Sequence, residues 1–113
     1  MEIKGYTLHG RFYLADKVIP NKSWKEALKM EEEVTLPNGK TVVAHTLSKA
    51  ELETIPRKER IISENGHWWY WTSTPSNSNI AWNVSIDGVL LTFTNNPDDG
   101  GARLGFKNPF IES

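Results

Sequence analysis

At 113 residues the chain has room for one hydrophobic core and one domain. Its 13 basic and 14 acidic residues leave a formal charge of -1, so no global field draws it towards nucleic acid or an anionic membrane. The absence of cysteine excludes a disulfide framework, a thiolate metal site and a cysteine nucleophile.

The opening residues Met1-Glu2-Ile3-Lys4-Gly5-Tyr6 show no charged lead followed by an apolar run, so a signal peptide is not expected. No later apolar stretch approaches bilayer-spanning length. A cytoplasmic or phage-associated product without membrane contact is the expectation.

Tyr6 to Ile19 mixes aromatic and β-branched residues with Gly5 and Gly10 as breakers, which predicts one or two strands closed by Pro20-Asn21. Ser23-Trp24-Lys25-Glu26 is a capping box that should launch a helix to about Glu33, with Trp24, Ala27 and Leu28 on its inner face. Pro37-Asn38-Gly39-Lys40 signals a turn, and Thr41 to Ala44 a short strand behind it. Ser48-Lys49-Ala50-Glu51 repeats the capping box. Its helix should run to Ile55, bury Leu52 and Ile55, and stop at Pro56. Arg57-Lys58-Glu59-Arg60 reads as a solvated loop.

From Trp68 onward the pattern becomes β. Ile80, Trp82, Val84 and Ile86 alternate with Ala81, Asn83 and Ser85, as in a strand with one buried face. Asp87-Gly88 should form a two-residue hairpin turn into a return strand, Val89 to Thr94. Positions 95 to 101 are rich in turn formers and read as a loop, after which Ala102 to Phe106 completes the sheet.

In this order the elements resemble the C-type-lectin-like fold, and specifically its cysteine-poor bacterial and phage branch. That branch includes a bacterial domain of unknown function, the formylglycine-generating enzymes and the variable proteins of diversity-generating retroelements. The resemblance rests on Ser23-Trp24-Lys25-Glu26-Ala27-Leu28, Thr46-Leu47-Ser48-Lys49-Ala50-Glu51-Leu52, Tyr70-Trp71-Thr72-Ser73-Thr74, Ala81-Trp82-Asn83-Val84 and Arg103-Leu104-Gly105-Phe106-Lys107. It covers roughly residues 5 to 107 and implies an α+β domain with two helices packed on a twisted, mainly antiparallel sheet. It departs from the calcium-binding lectins, because Trp82-Asn83 is followed by Val84 where they carry aspartate. It departs from the formylglycine-generating enzymes, which work through cysteines. No cofactor or metal is expected.

Rings along Trp68-Trp69-Tyr70-Trp71 must alternate across a strand. Trp69 and Trp71 then belong to the core, and an outward Trp68 or Tyr70 could present a flat ring to a ligand. His9, His45 and His67 are too scattered for a helical metal motif. Arg103, inside the last strand, should find a carboxylate or carbonyl partner and serve the structure. Asn77, Asn79, Asn83, Asn95 and Asn96 fall in or beside the loops between the last strands, where amides both donate and accept hydrogen bonds without the desolvation cost of charge. Asparagine is also a good turn former, so the loops alone explain part of this enrichment.

These readings combine into a small noncatalytic recognition domain that binds a protein or glycan through Tyr70, Asn77, Asn79, Asn83, Asn95, Asn96 and Asp98, with no nucleic-acid partner and an open oligomeric state. Two alternatives stand beside it. One is an enzyme or small-molecule-binding protein with a pocket between the helices and the aromatic tract, using His67 with Asp98 or Asp99. The other is a structural subunit that pairs through the apolar face containing Leu90.

Overall fold

A computed structural model of the protein describes residues 3–61, 69–76, 80–92 and 100–110. The chain begins with a hairpin in which β1 (Tyr6–His9) pairs antiparallel with β2 (Phe12–Ala15). A third strand, β3 (Ile19–Lys22), contains the Pro20-Asn21 pair expected to close the segment. Proline is tolerated there because β3 is the edge of its sheet. Asn21 takes a φ of 60°, and the pairing slips between Ile19 and Lys22 as in a bulge.

Both capping boxes form. In α1 (Trp24–Lys29) the Glu26 amide donates to Ser23 Oγ at 3.2 Å and the Ser23 amide to the Glu26 carboxylate at 3.0 Å. The helix stops at Met30 instead of Glu33, because the glutamate run is captured by a hairpin. There β4 (Glu31–Thr35) pairs with β5 (Thr41–Thr46) from Glu31↔His45 to Thr35↔Thr41. The β-branched Thr41-Val42-Val43 run offers a complete ladder, which outweighs the weak helical preference of three glutamates. Ala27 is fully buried as expected and Trp24 half-buried, but Leu28 faces solvent.

In α2 (Lys49–Glu53) Ser48 and Glu51 exchange the same two bonds at 3.1 and 2.9 Å. Leu52 and Ile55 are both buried as the sequence predicts. The basic segment expected to be a loop is instead a single helical turn, α3 (Arg57–Arg60). It is tied down by Arg57 Nε donating to the Asp87 carbonyl at 2.9 Å and Arg60 Nη1 to the Leu52 carbonyl at 3.2 Å.

The remaining strands are β6 (Tyr70–Pro75), β7 (Ala81–Val84), β8 (Leu90–Leu91), β9 (Gly100–Ala102) and β10 (Leu104–Lys107). Phe93 and Thr94, assigned to the return strand by the sequence, lie outside the described residues. The fold is α+β, but the strands form two sheets where one was expected. The first runs β1-β2-β10-β5-β4 and the second β3-β9-β6-β7-β8, each five-stranded. All described pairings are antiparallel except β6 with β9.

One continuous segment serves both sheets. Gly100 and Gly101, placed in a loop by the sequence, begin β9, and the chain crosses at Arg103 into β10. Glycine is required here because Trp69 and Val18 press on the backbone. A Cβ at Gly100 would lie 2.6 Å from the Trp69 ring, and one at Gly101 2.1 Å from Val18 Cγ1.

The β4–β5 and β7–β8 connections share one design. Leu36 donates to the Lys40 carbonyl at 2.7 Å and Gly39 to the Leu36 carbonyl at 2.9 Å; Ser85 with Val89 and Gly88 with Ser85 match them at 2.8 and 2.9 Å. Gly39 and Gly88 supply the positive φ at the third loop residue, 87° and 80°. The Asp87-Gly88 turn is therefore a three-residue loop, 86–88.

Buried residues gather in three clusters. Tyr6, Tyr13, Leu104 and Phe106 centre the first, on one face of the first sheet. Phe12, Leu14, Leu47, Leu52, Ile55, Tyr70 and Val84 fill the space between the two sheets and α2. Ala27, Trp71, Ala81 and Ala102, flanked by Trp24 and Trp69, form the third. β7 accordingly departs from the predicted one-sided burial: Ala81 and Asn83 are buried along with Val84, while Ile86 is 49% exposed on the hairpin tip.

Candidate recognition site

Tyr70 is the first of the proposed contact residues to be reassigned. It sits opposite Val84 in the ladder, 2% exposed, within the cluster between the sheets. Its hydroxyl donates to the Arg60 carbonyl at 2.6 Å, and Arg103 Nη1 reaches both that carbonyl and the hydroxyl at 3.1 Å. Arg103 Nε donates to the Ala15 carbonyl at 2.8 Å. Burial pushes the Tyr70 phenol above its ordinary pKa, and the guanidinium partly opposes that rise. Arg103 thus finds carbonyl partners, as the sequence led us to expect. Tyr70 belongs to this internal lock and offers no ring to a ligand.

The other face of the second sheet has a different chemistry. Trp71, Asn83 and Leu91 lie side by side across β6, β7 and β8. Trp71 is buried and donates through Nε1 to the Lys22 carbonyl at 3.0 Å. Half-buried Trp69 meets it edge-on, with ring centres 4.7 Å apart and planes at 77°. Leu91 is 41% exposed at the sheet edge.

Between them Asn83 is only 3% exposed, and among the described residues nothing accepts a hydrogen bond from its Nδ2. An unmade hydrogen bond at a buried amide costs about 1–3 kcal/mol. Buried polar groups are nearly always satisfied, so an exception calls for an explanation. Asn83 therefore stays in the candidate site, as a buried donor and not as the exposed loop amide that the sequence suggested.

Asn77, Asn79, Asn95, Asn96 and Asp98 lie outside the described residues, as do His67, Trp68 and Asp99. Their segments join β6 to β7 and β8 to β9, the strands flanking this face. Trp82 is half-buried, with the Lys49 ammonium 4.5 Å from its ring centre. Leu90 packs against the cluster between the sheets, so the apolar side proposed for self-pairing points inward. His9 Nδ1 lies 3.2 Å from Glu59 Oε1, whereas His45 is exposed on β5. Among the described residues no three of histidine, aspartate and glutamate converge as a metal ion would require.

The sequence reading missed a cleft on the first sheet. Tyr6, Ala15, Asp16, Ile19, Glu32 and Leu104 are among the residues lining a cavity of about 310 Å³. A wider groove of about 660 Å³ adjoins it, sharing Tyr6 and Asp16. Tyr6 donates to Glu32 Oε1 at 2.7 Å and Thr7 donates to Asp16 Oδ1 at 2.5 Å. Burial and the Glu32 carboxylate together raise the Tyr6 phenol well above its usual pKa. No local motif marks the cleft, because its walls come from four separated stretches of chain.

Comparisons of the chain with family models, curated proteins and solved structures returned no match.

Proposed function

We propose that the protein is a noncatalytic recognition domain of C-type-lectin-like architecture, binding a protein or glycan through the Trp71–Asn83–Leu91 face and the segments 77–79 and 93–99 that join its strands. The setting we infer is a bacterial or phage accessory role, in the cytoplasm or with the phage particle. The observation that carries the reading is Asn83, a buried amide donor without a protein acceptor beside two indole rings and an exposed leucine. Such a donor gains a full hydrogen bond when a ligand carbonyl or hydroxyl arrives. The flanking apolar surface supplies contact area without charge desolvation.

The two capping-box helices and the aromatic β6 occur in the order that the resemblance implies, which supports the architecture. The test is a glycan array together with affinity capture from host lysate, each run with the wild type, Asn83→Leu and Asn79→Ala. A ligand retained by the wild type and lost by Asn83→Leu is the expected result. Blank screens, or a ligand that both variants retain at wild-type strength, would overturn the proposal.

A further inference from the structure

The cleft on the first sheet is separate from the recognition face and has its own chemistry. Its floor is apolar, made by Ala15, Ile19, Ala102 and Leu104, and its polar groups sit around Tyr6. At about 310 Å³ it falls at the small end of the range that ligand pockets occupy, about 300–1,000 Å³.

Two carboxylates face it, and both are held by neutral donors. Neighbouring residues of β1 do this work: Tyr6 OH binds Glu32, and Thr7 OH binds Asp16. Among the described residues neither carboxylate forms an ion pair with a lysine, arginine or histidine. Lys17 is the single basic residue among those lining the cavity, against Asp16 and Glu32. The hydroxyls fix the direction of each carboxylate and leave its charge uncompensated.

We propose that this cleft binds a small organic cation, a primary amine carried on an apolar stem. The class follows by elimination. An anion would meet two carboxylates at the rim. A neutral hydroxyl would strip water from them without neutralising charge. An ammonium satisfies the free lone pairs through charge-assisted hydrogen bonds, and its stem covers the floor. Glu32 offers an unused oxygen beside the one that Tyr6 occupies, so the ligand need not break the existing bond.

The test is a titration followed by backbone amide NMR shifts, using phenethylamine as probe and 2-phenylethanol and 3-phenylpropionate as matched neutral and anionic controls. Phenethylamine should saturably shift the amides of Tyr6, Ala15 and Ala102. The alcohol should bind at least about tenfold more weakly, since one charge-assisted bond amounts to about a factor of ten. Glu32→Gln keeps a carbonyl acceptor for Tyr6, and Asp16→Asn does the same for Thr7. Each variant should weaken amine binding about tenfold with the wild-type amide spectrum otherwise kept.

Equal binding of amine and alcohol would overturn the proposal, as would amine affinity unchanged in both variants or no saturable shift at the cleft. Shifts confined to Trp71, Asn83 and Leu91 would also overturn it, by assigning the amine to the recognition face. Asn83→Leu should leave amine binding intact, so this site and the recognition face fail or stand separately.

Discussion

Asn83→Leu tests whether a binding donor is held at the expense of stability. Leucine has the same branching as asparagine and the same number of side-chain heavy atoms, but it brings no polar group to a position 3% exposed. Removing a buried amide without an acceptor should recover about 1–3 kcal/mol, from which the bulkier methyl groups subtract roughly 1 kcal/mol of crowding against Trp71 and Leu91. A net gain of about 1 kcal/mol corresponds to a rise in Tm of about 3–6 °C for a domain of this size. Differential scanning calorimetry of the unliganded protein reads it directly. Asn83→Asp is the companion variant: it keeps the shape but buries a charge, and its Tm should fall at neutral pH. If Asn83→Leu melts below the wild type, the Nδ2 group has a partner in solution and the argument from a waiting donor fails.

Three further outcomes follow from the same coordinates. Arg103→Lys replaces a fork that reaches Ala15, Arg60 and Tyr70 with a single ammonium, and should cost about 2–4 kcal/mol in urea unfolding; a loss under about 0.5 kcal/mol would refute the locking role. Gly39→Ala and Gly88→Ala form an internal comparison. Both need a positive φ, but a Cβ at residue 39 meets nothing within 4 Å, while one at residue 88 would lie 2.4 Å from the Arg57 carbonyl. The first should cost about 1 kcal/mol and the second clearly more; equal losses would mean that the hairpin tip does not rest on α3. Finally, Tyr6 and Tyr70 keep their protons in the folded state above the ordinary value of 10.0. The unfolded chain loses those protons first, so stability is fully present below pH 10 and declines as pH climbs from there towards the folded values. Chemical denaturation across that window, with phenolate absorbance recorded in parallel, should show the decline in the wild type and a smaller one in Tyr6→Phe.

What could be read from the sequence was what is decided locally. The boxes at Ser23 and Ser48 involve residues three apart, so their helix starts were visible without tertiary information. Gly39 and Gly88 announced turns for the same reason. Glu31-Glu32-Glu33 was misread because its helical continuation is a local preference, overridden by pairing with Thr41–Thr46. Pro20 and Gly100-Gly101 looked like breakers, but an edge position and the packing of Trp69 and Val18 make them strand residues.

At the candidate site, alternation along the tract gave two faces but not which of them was covered. Tyr70 lost its proposed role to Arg60 and Arg103, both distant in sequence. The Tyr6 cleft had no local signal at all, since Asp16 and Glu32 meet it only through folding.

The Gly100–Lys107 segment has a kinetic consequence. β10 is the middle strand of one sheet and β9 lies next to the edge strand of the other. During synthesis, β2 and β5 therefore wait for a neighbour translated some sixty residues or more after either of them. Neither layer can zip shut on the ribosome before this late thread emerges. An arrested nascent chain ending ahead of Gly100 should be readily cut by protease, and one extended past Lys107 and clear of the exit tunnel should resist it.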